Sequence, residues 1–333
     1  MLTPAFRPAP DRLTDLTGFA PNPGALRARL YLPVGLRPGA ALVVVLHGCT
    51  QDAASYDRGT GWSTLADRAG FALLFPEQAR ANNPNNCFNW FQPGDIARHG
   101  GEAESIAAMV RHAVAAHALD GARVFVTGLS AGGAMTAVML ATWPELFAGG
   151  AIIGGLPHAD ASGVPEAMAR MRGQGGADDA GLVAAVRRGG HAGRWPAVSI
   201  WHGTADATVG AVNAERLGRQ WRGVHRVDTA PVTRQGPGWT RRAWHAGGRP
   251  AVEEWLVAGM GHGVPIDPRG GLGQSGPHML DVGVDSTALI AHGWGLVADE
   301  PLAREHPSPT PTATLTGIQH TIESAFRSAG LMP

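Results

Sequence analysis

The chain has 333 residues, of which 44% are hydrophobic and 16% charged, with 27 basic side chains balancing 27 acidic ones. That length can bury one large core or two modest ones, and a balanced charge argues against nucleic acid as the main partner, because polyanion binding needs a basic excess on one face. Every one of the 27 basic residues is arginine, so chemistry that needs a lysine (a Schiff base, a pyridoxal-phosphate anchor, a P-loop, a Ser-Lys dyad) is excluded.

In chain order, residues 1–25 are rich in Pro, Thr and Asp without a clear period and read as a segment that wraps the surface. The first 32 residues show no charged stretch followed by an apolar one, so no signal peptide is visible. As written the chain reads as cytoplasmic; a removed signal would make it extracellular or periplasmic. Residues 26–298 read as a catalytic domain. Arg27 to Leu32 alternates as an edge strand. The continuous apolar run Ala41 to Leu46 has the signature of a strand buried on both faces. A helix over Trp62 to Ala69 and a strand over Phe71 to Phe75 follow. Glu102 to His117 has apolar residues at helical spacing, with Glu102 and Glu104 in the first turn, the favourable sign for the helix dipole. Next come a strand over Arg123 to Thr127, a helix from Ala131 to Thr142 stopped by Pro144, and a short strand over Ala148 to Ile153. Residues 157–194 carry loop signals, a helix near Glu166 to Met171 and a glycine-rich run, the pattern of a cap-like insertion. Strands over Ala197 to His202 and Val252 to Val257 flank a polar, hairpin-like stretch. Asp285 to Thr287 caps a helix over Ala288 to Gly295. Residues 299–314 have the composition of a Pro/Thr-rich linker, and 315–333 form an amphipathic helix with Leu315, Ile318, Ile322, Ala325, Phe326 and Ala329 on one face. That helix either docks on its own domain or serves as a foot for a partner subunit or hydrophobic surface, which leaves a homo-oligomer open. No apolar stretch reaches the roughly 18 residues of a membrane span. Strands alternating with helices predict an α/β class with a mostly parallel central sheet covered on both faces.

The chemistry concentrates at Gly128-Leu129-Ser130-Ala131-Gly132, where a strand passes directly into a helix. In that context Gly-x-Ser-x-Gly marks a tight turn that exposes a nucleophilic serine, and a Cβ at Gly128 or Gly132 would crowd it. Ser130 then lies at a helix N-terminus, where free N–H groups favour developing negative charge. A serine needs a base, an acid to orient the base, and oxyanion donors, and in an open parallel sheet these lie at the C-terminal ends of different strands. Asp206 follows the strand ending at Trp201. His262 follows the strand through Val257, in a glycine-rich loop flexible enough to swing an imidazole toward the serine. The order Ser, Asp, His is the one α/β-hydrolases use. Asp228 and Asp267 are alternative acids that follow no buried strand directly. His47 and His202 also end strands and read equally as structural histidines. After the strand ending at Leu46, the Cys49 N–H would pair with that of Ala131 as an oxyanion hole. Two cysteines are too few for a disulfide scaffold or a cysteine zinc site, and the 14 histidines include no His-Glu-x-x-His, so neither a metal nor another cofactor is expected.

Five segments together carry a family resemblance: Leu46-His47-Gly48-Cys49-Thr50-Gln51, Cys87-Phe88-Asn89-Trp90-Phe91, Gly128 to Met135, His202-Gly203-Thr204-Ala205-Asp206, and Gly259-Met260-Gly261-His262. The chain resembles the poly(3-hydroxybutyrate) depolymerase family of esterases, which includes relatives of feruloyl and acetylxylan esterases. The resemblance runs from about residue 25 to the C-terminus. It implies an α/β-hydrolase fold, a triad of Ser130, Asp206 and His262, and a serine esterase that acts on poly(3-hydroxybutyrate) or its oligomers through an acyl-serine. Feruloyl or acetylxylan ester hydrolysis is the alternative, and a non-catalytic binding module on the same fold the remoter one. The secreted polymer-degrading members often carry a signal peptide and an added substrate-binding domain, neither of which is visible here. In the family pattern Cys49 and Cys87 recur together, which implies a disulfide pinning the oxyanion loop; two buried free thiols are the reading a reducing compartment would favour. Trp90, Asn89 and Trp201 are candidate substrate contacts. Trp201 stands within a strand, where a core role competes, and Asn89 equally suits a role in shaping its loop.

Overall fold

The computed structural model describes residues 11–298. The expected linker 299–314 and helix 315–333 lie outside the described residues. The strands are β1 (Thr14–Asp15), β2 (Arg27–Tyr31), β3 (Leu42–Leu46), β4 (Ala72–Glu77), β5 (Val124–Leu129), β6 (Gly149–Ile153), β7 (Ala197–Gly203), β8 (Val232–Gly236), β9 (Trp239–Ala246), β10 (Arg249–Val257), β11 (Val264–Ile266) and β12 (Met279–Asp281). The helices are α1 (Ala53–Thr60), α2 (Trp62–Ala69), α3 (Gly101–Ala116), α4 (Ala131–Thr142), α5 (Val164–Met171), α6 (Asp179–Arg187), α7 (Val212–His225) and α8 (Ser286–Gly293). Ten strands form one sheet in the order β1-β2-β4-β3-β5-β6-β7-β10-β9-β8, and β11 pairs with β12 apart from it. The run from β4 to β10 is parallel, while β1, β2, β8 and β9 are antiparallel edges.

This is the expected α/β class. Strand β3 shows why its sequence is apolar throughout. Leu42, Val44 and Leu46 point into one core with α3, α4 and α7, and Val43 and Val45 into the other with α1, α2 and α8. Period-2 alternation still operates, but both faces are dry, so it leaves no polar trace. Residues 11–15 lie along the sheet edge: β1 pairs with β2, and Asp11 and Asp15 approach the Arg29 guanidinium at 2.8 and 3.0 Å.

Three helices escape the sequence pattern. Helix α1 caps itself with Asp52, whose carboxylate accepts the Ser55 N–H in a capping box, but its short mixed run shows little periodicity. Helix α7 carries Gly218 and Gly223, poor helix formers, and is held by burying Leu217, Trp221 and Val224. Helix α6 begins inside the glycine-rich run that reads as loop; Asp178 caps it through the Gly181 N–H.

The first turn of α3 departs from the dipole expectation. Glu104 lies near His99 and Arg111, but Glu102 is buried beneath the sheet edge. Its two oxygens accept from the Gln78 side-chain amide and, at 2.8 Å, from the Asn89 N–H. Burial dominates and, helped by the nearby Asp95 charge, lifts the Glu102 pKa from 4.5 to about 8. At Glu102 the folded chain therefore binds more protons than the unfolded chain between those values, so the stability this group contributes is fully present at acid pH and is lost as pH rises toward 8. Glu102→Gln, which cannot ionise, should flatten that fall in thermal unfolding scans between pH 5 and pH 8.5; a pH profile identical to that of the parent protein would contradict a buried neutral Glu102.

Candidate active site

The turn from β5 into α4 is built by close backbone approach. A Cβ on Gly128 would stand 2.5 Å from the Gly132 carbonyl and 2.7 Å from that of Leu46, and one on Gly132 would stand 2.4 Å from the Leu46 carbonyl. These are main-chain atoms that cannot step aside. Ser130, between the two glycines, has φ 57° and ψ −117°, a left-handed backbone that costs a non-glycine residue about 1–3 kcal/mol. The strain is held by bonds on both sides: Ser130 N–H donates to Ile153 O at 2.9 Å, and Ser130 O accepts from Ala134 N–H at 2.8 Å. Its side chain opens onto a cavity of about 550 Å3 that His262 also lines.

Asp206 and His262 meet as the sequence order predicts. His262 Nδ1 donates to Asp206 Oδ2 at 2.7 Å, which leaves Nε2 without the proton and able to accept one. The other carboxylate oxygen accepts the Thr208 and Val209 N–H groups at 2.9 and 2.8 Å. Burial pushes the Asp206 carboxyl up, but the His262 hydrogen bond, the neighbouring imidazoles and the Val209 N–H outweigh it and hold the group below the usual carboxylate range. The loop that carries His262 is tied through its backbone to the loop that carries Asp206. Gly259 N–H donates to Thr204 Oγ1, Ala205 N–H to Met260 O, and Thr204 N–H to Val257 O, so the acid loop and the histidine loop form one hydrogen-bonded unit. His278 Nδ1 donates to the His262 carbonyl at 3.2 Å and braces it from the cavity side. Of the alternative acids, Asp228 is exposed and Asp267 binds the Arg269 guanidinium at 2.7 Å. His202 Nε2 donates to Val209 O at 2.8 Å and lies 3.5 Å from Asp206, a buried structural role.

Cys49 and Cys87 form a disulfide. It joins the 47–51 loop to the 85–91 loop, a link repeated by the Thr50 N–H to Asn85 O bond. His47 braces the same loop. Its Nδ1 donates to Gly48 O and its Nε2 accepts the Gln78 N–H, and burial holds its pKa down so that it stays neutral. Gln78 continues the brace to Cys87 O and Glu102. Both Cys49 and Ala131 line the cavity beside Ser130, and among the described residues neither of their N–H groups reaches a protein acceptor. An ester carbonyl entering here meets a hydroxyl, a proton acceptor and two free donors.

The three candidate substrate contacts separate. Trp90 lines the cavity, edge-on to Phe91 at 5.4 Å. Trp201 does not reach it: buried in the core, it stacks on Trp255 at 4.4 Å, 6° from parallel. A strand interior between two covered faces gives its indole no route to the surface. Asn89 also misses the cavity wall and shapes its loop, its N–H on Glu102 and its side-chain carbonyl on the Asn83 amide at 3.0 Å. The sequence pattern did not reveal the wall that α5 supplies. Val164, Ala167, Met168 and Met171, spaced i, i+3, i+4 and i+7, turn one face to the cavity. The buried Asp160 holds the segment around α5 through Arg216 at 2.8 Å and the Ala177 N–H at 2.9 Å. Among the described residues no cluster of three His, Cys, Asp or Glu side chains suits a metal ion, and no helix is long and apolar enough to cross a membrane.

Fold and site together define a carboxylic ester hydrolase of α/β-hydrolase architecture. The profile of the esterase PHB depolymerase family matches residues 26–242, and the chain belongs to that family. It is 42% identical to poly(3-hydroxyalkanoate) depolymerase C of Paucimonas lemoignei over 294 residues, covering 86% of this chain and 70% of the relative. It is 31% identical to feruloyl esterase B of Talaromyces stipitatus over 266 residues, covering 77% and 73%. The acetyl xylan esterase from Aspergillus awamori superposes with a TM-score of 0.74 at 24% identity, over 86% of this chain and 99% of that one, a likeness of fold.

The disulfide closes a separation of 38 residues, which corresponds to about 4 kcal/mol of chain-entropy stabilisation. A Cys49→Ser/Cys87→Ser double variant should therefore unfold in denaturant with a loss of about 2–4 kcal/mol. Denatured, unreduced parent protein should titrate no free thiol, and two reactive thiols would overturn the pairing.

Proposed function

We propose that Ser130, His262 and Asp206 act as the nucleophile, base and orienting acid of a two-step acyl transfer. The observation that carries the reading is Ser130 at positive φ, sharing a cavity with the His262–Asp206 pair and with the unbonded N–H groups of Cys49 and Ala131. His262 Nε2 takes the hydroxyl proton as Ser130 Oγ attacks the ester carbonyl. The two N–H groups receive the oxyanion, and Asp206 stabilises the imidazolium without taking its proton. The tetrahedral species expels the alcohol with the proton from His262. Water, deprotonated by the same imidazole, then attacks the acyl-Ser130 and releases the acid. The Asp206 carboxylate is stable as an anion because its second oxygen is already saturated by two backbone donors.

For the substrate we propose poly(3-hydroxybutyrate) or its oligomers. The 42% identical depolymerase supports this, and so does a cavity walled by Trp90, Phe91 and the α5 methionines. Methionine is unbranched and polarisable, so such a wall adapts to methyl-branched aliphatic chains. Feruloyl or acetylxylan ester hydrolysis is the second reading, supported by the 31% identical feruloyl esterase.

Ser130→Ala should lower turnover of a short nitrophenyl ester by a factor on the order of 10³ or more, and an organophosphate should label Ser130 in the parent protein. Full activity in the variant would end the proposal, and failure to label would favour a non-catalytic module. Clearing of a polyhydroxybutyrate film against release of ferulate or acetate from plant polysaccharide separates the two substrate readings.

A further inference from the structure

Among the described residues lining the cavity, Arg58 alone carries a permanent charge. It projects from α1 with Ser55 and Gly59, spaced i, i+3 and i+4, so the three share the cavity-facing side of that helix. Beside them lies the segment 274–279, tied to α1 by the Gln274 N–H to Gly59 O bond at 3.0 Å. This wall is polar where the α5 wall is apolar.

The guanidinium has no hydrogen bond or ion pair among the described residues, although it is half-buried. The carboxylates whose fields it meets are engaged elsewhere. Asp11 binds Arg29 at 2.8 Å, and Asp57 accepts the Ser63 N–H at 2.8 Å. An arginine fork is built to hold a carboxylate through two parallel bonds, and an apolar-walled cavity strengthens the attraction. The interior of a neutral polyester offers no anion, whereas each linear chain, and each oligomer released from it, carries one carboxylate at its acid end and a neutral hydroxyl at the other.

Position fits that ligand. Helix α1 starts directly after the loop that carries the Cys49 N–H, and Arg58 lies six residues past its cap, Asp52. Arg58, Cys49 and Ser130 all line that one cavity.

We propose that Arg58 receives the terminal carboxylate of a short linear oligoester, so that the site acts on soluble hydroxyacid oligomers from their acid end. The inference rests on the esterase reading of the same cavity and names its substrate class.

The test compares the linear dimer of 3-hydroxybutyrate with its methyl ester. The parent protein should favour the free acid about tenfold in kcat/KM, with the difference in KM. In Arg58→Gln the ratio should fall toward one, Arg58→Lys should restore part of it, and 0.5 M salt should reduce it. Calorimetric binding of both dimers to Ser130→Ala protein, with and without Arg58→Gln, should give the same preference without turnover. Equal use of acid and ester by the parent protein, or an equal loss on both in Arg58→Gln, overturns the proposal while leaving the esterase reading intact. If the parent protein hydrolyses the nitrophenyl ester but neither dimer, the proposal is overturned and the esterase reading stands; if it hydrolyses none of the three while Ser130→Ala binds the acid in an Arg58-dependent way, the carboxylate site stands and the esterase reading falls.

Discussion

The structure depends on one close contact, the seating of the β5–α4 turn against the end of β3. Carbonyls of Leu46 and His47 stand where side chains on Gly128 and Gly132 would have to be. Because the main chains touch, the helix begins immediately at the strand end and Ser130 has no relaxed conformation to adopt. The same contact seats the end of β3 against the turn, and the 47–51 loop that follows lines the cavity with Ala131. The strained backbone of Ser130 and the placement of that loop are thus two results of a single backbone approach.

Around it the fold spends its buried polar groups on loops rather than on the sheet. His47, Gln78, Glu102 and the Asn89 N–H form a continuous chain of hydrogen bonds behind the disulfide. Thr204, Asp206 and the 258–262 backbone form another. Loops at the strand ends would otherwise be the most mobile parts of an open sheet. Two covalent or hydrogen-bonded clamps make them rigid, as a site relying on preorganised donors requires. The adaptable component is confined to α5 and its methionines, on a segment anchored by Asp160 and Arg216.

Much of this was legible before any coordinates. The long apolar runs marked β3, β5 and β6 because parallel central strands bury both faces. Gly-x-Ser-x-Gly was informative because it lay between a strand and a helix. Asp206 and His262 were legible because each follows such a strand. What misled was local. Trp201 stood as a candidate contact with a core role competing, and it stacks on Trp255 inside the sheet layer. Glu102 looked like a charge favourable to the helix dipole, yet it is buried, and burial pushes its carboxyl up to about 8. A glycine-rich loop looked mobile around His262, yet its backbone is bonded to the acid loop.

The sequence by itself determined the strand order of the chemistry: which residues end strands, which serine sits in the turn, and which two side chains follow it. Those are properties of periodicity and of glycine, carried by neighbours in the chain. Only the tertiary structure decided what surrounds the reacting groups. The α5 wall, the Arg58 charge on α1, the His278 brace and the burial of Glu102 all come from segments far apart in sequence. Their surroundings, and hence the chemistry they can take part in, exist only once those segments have packed together.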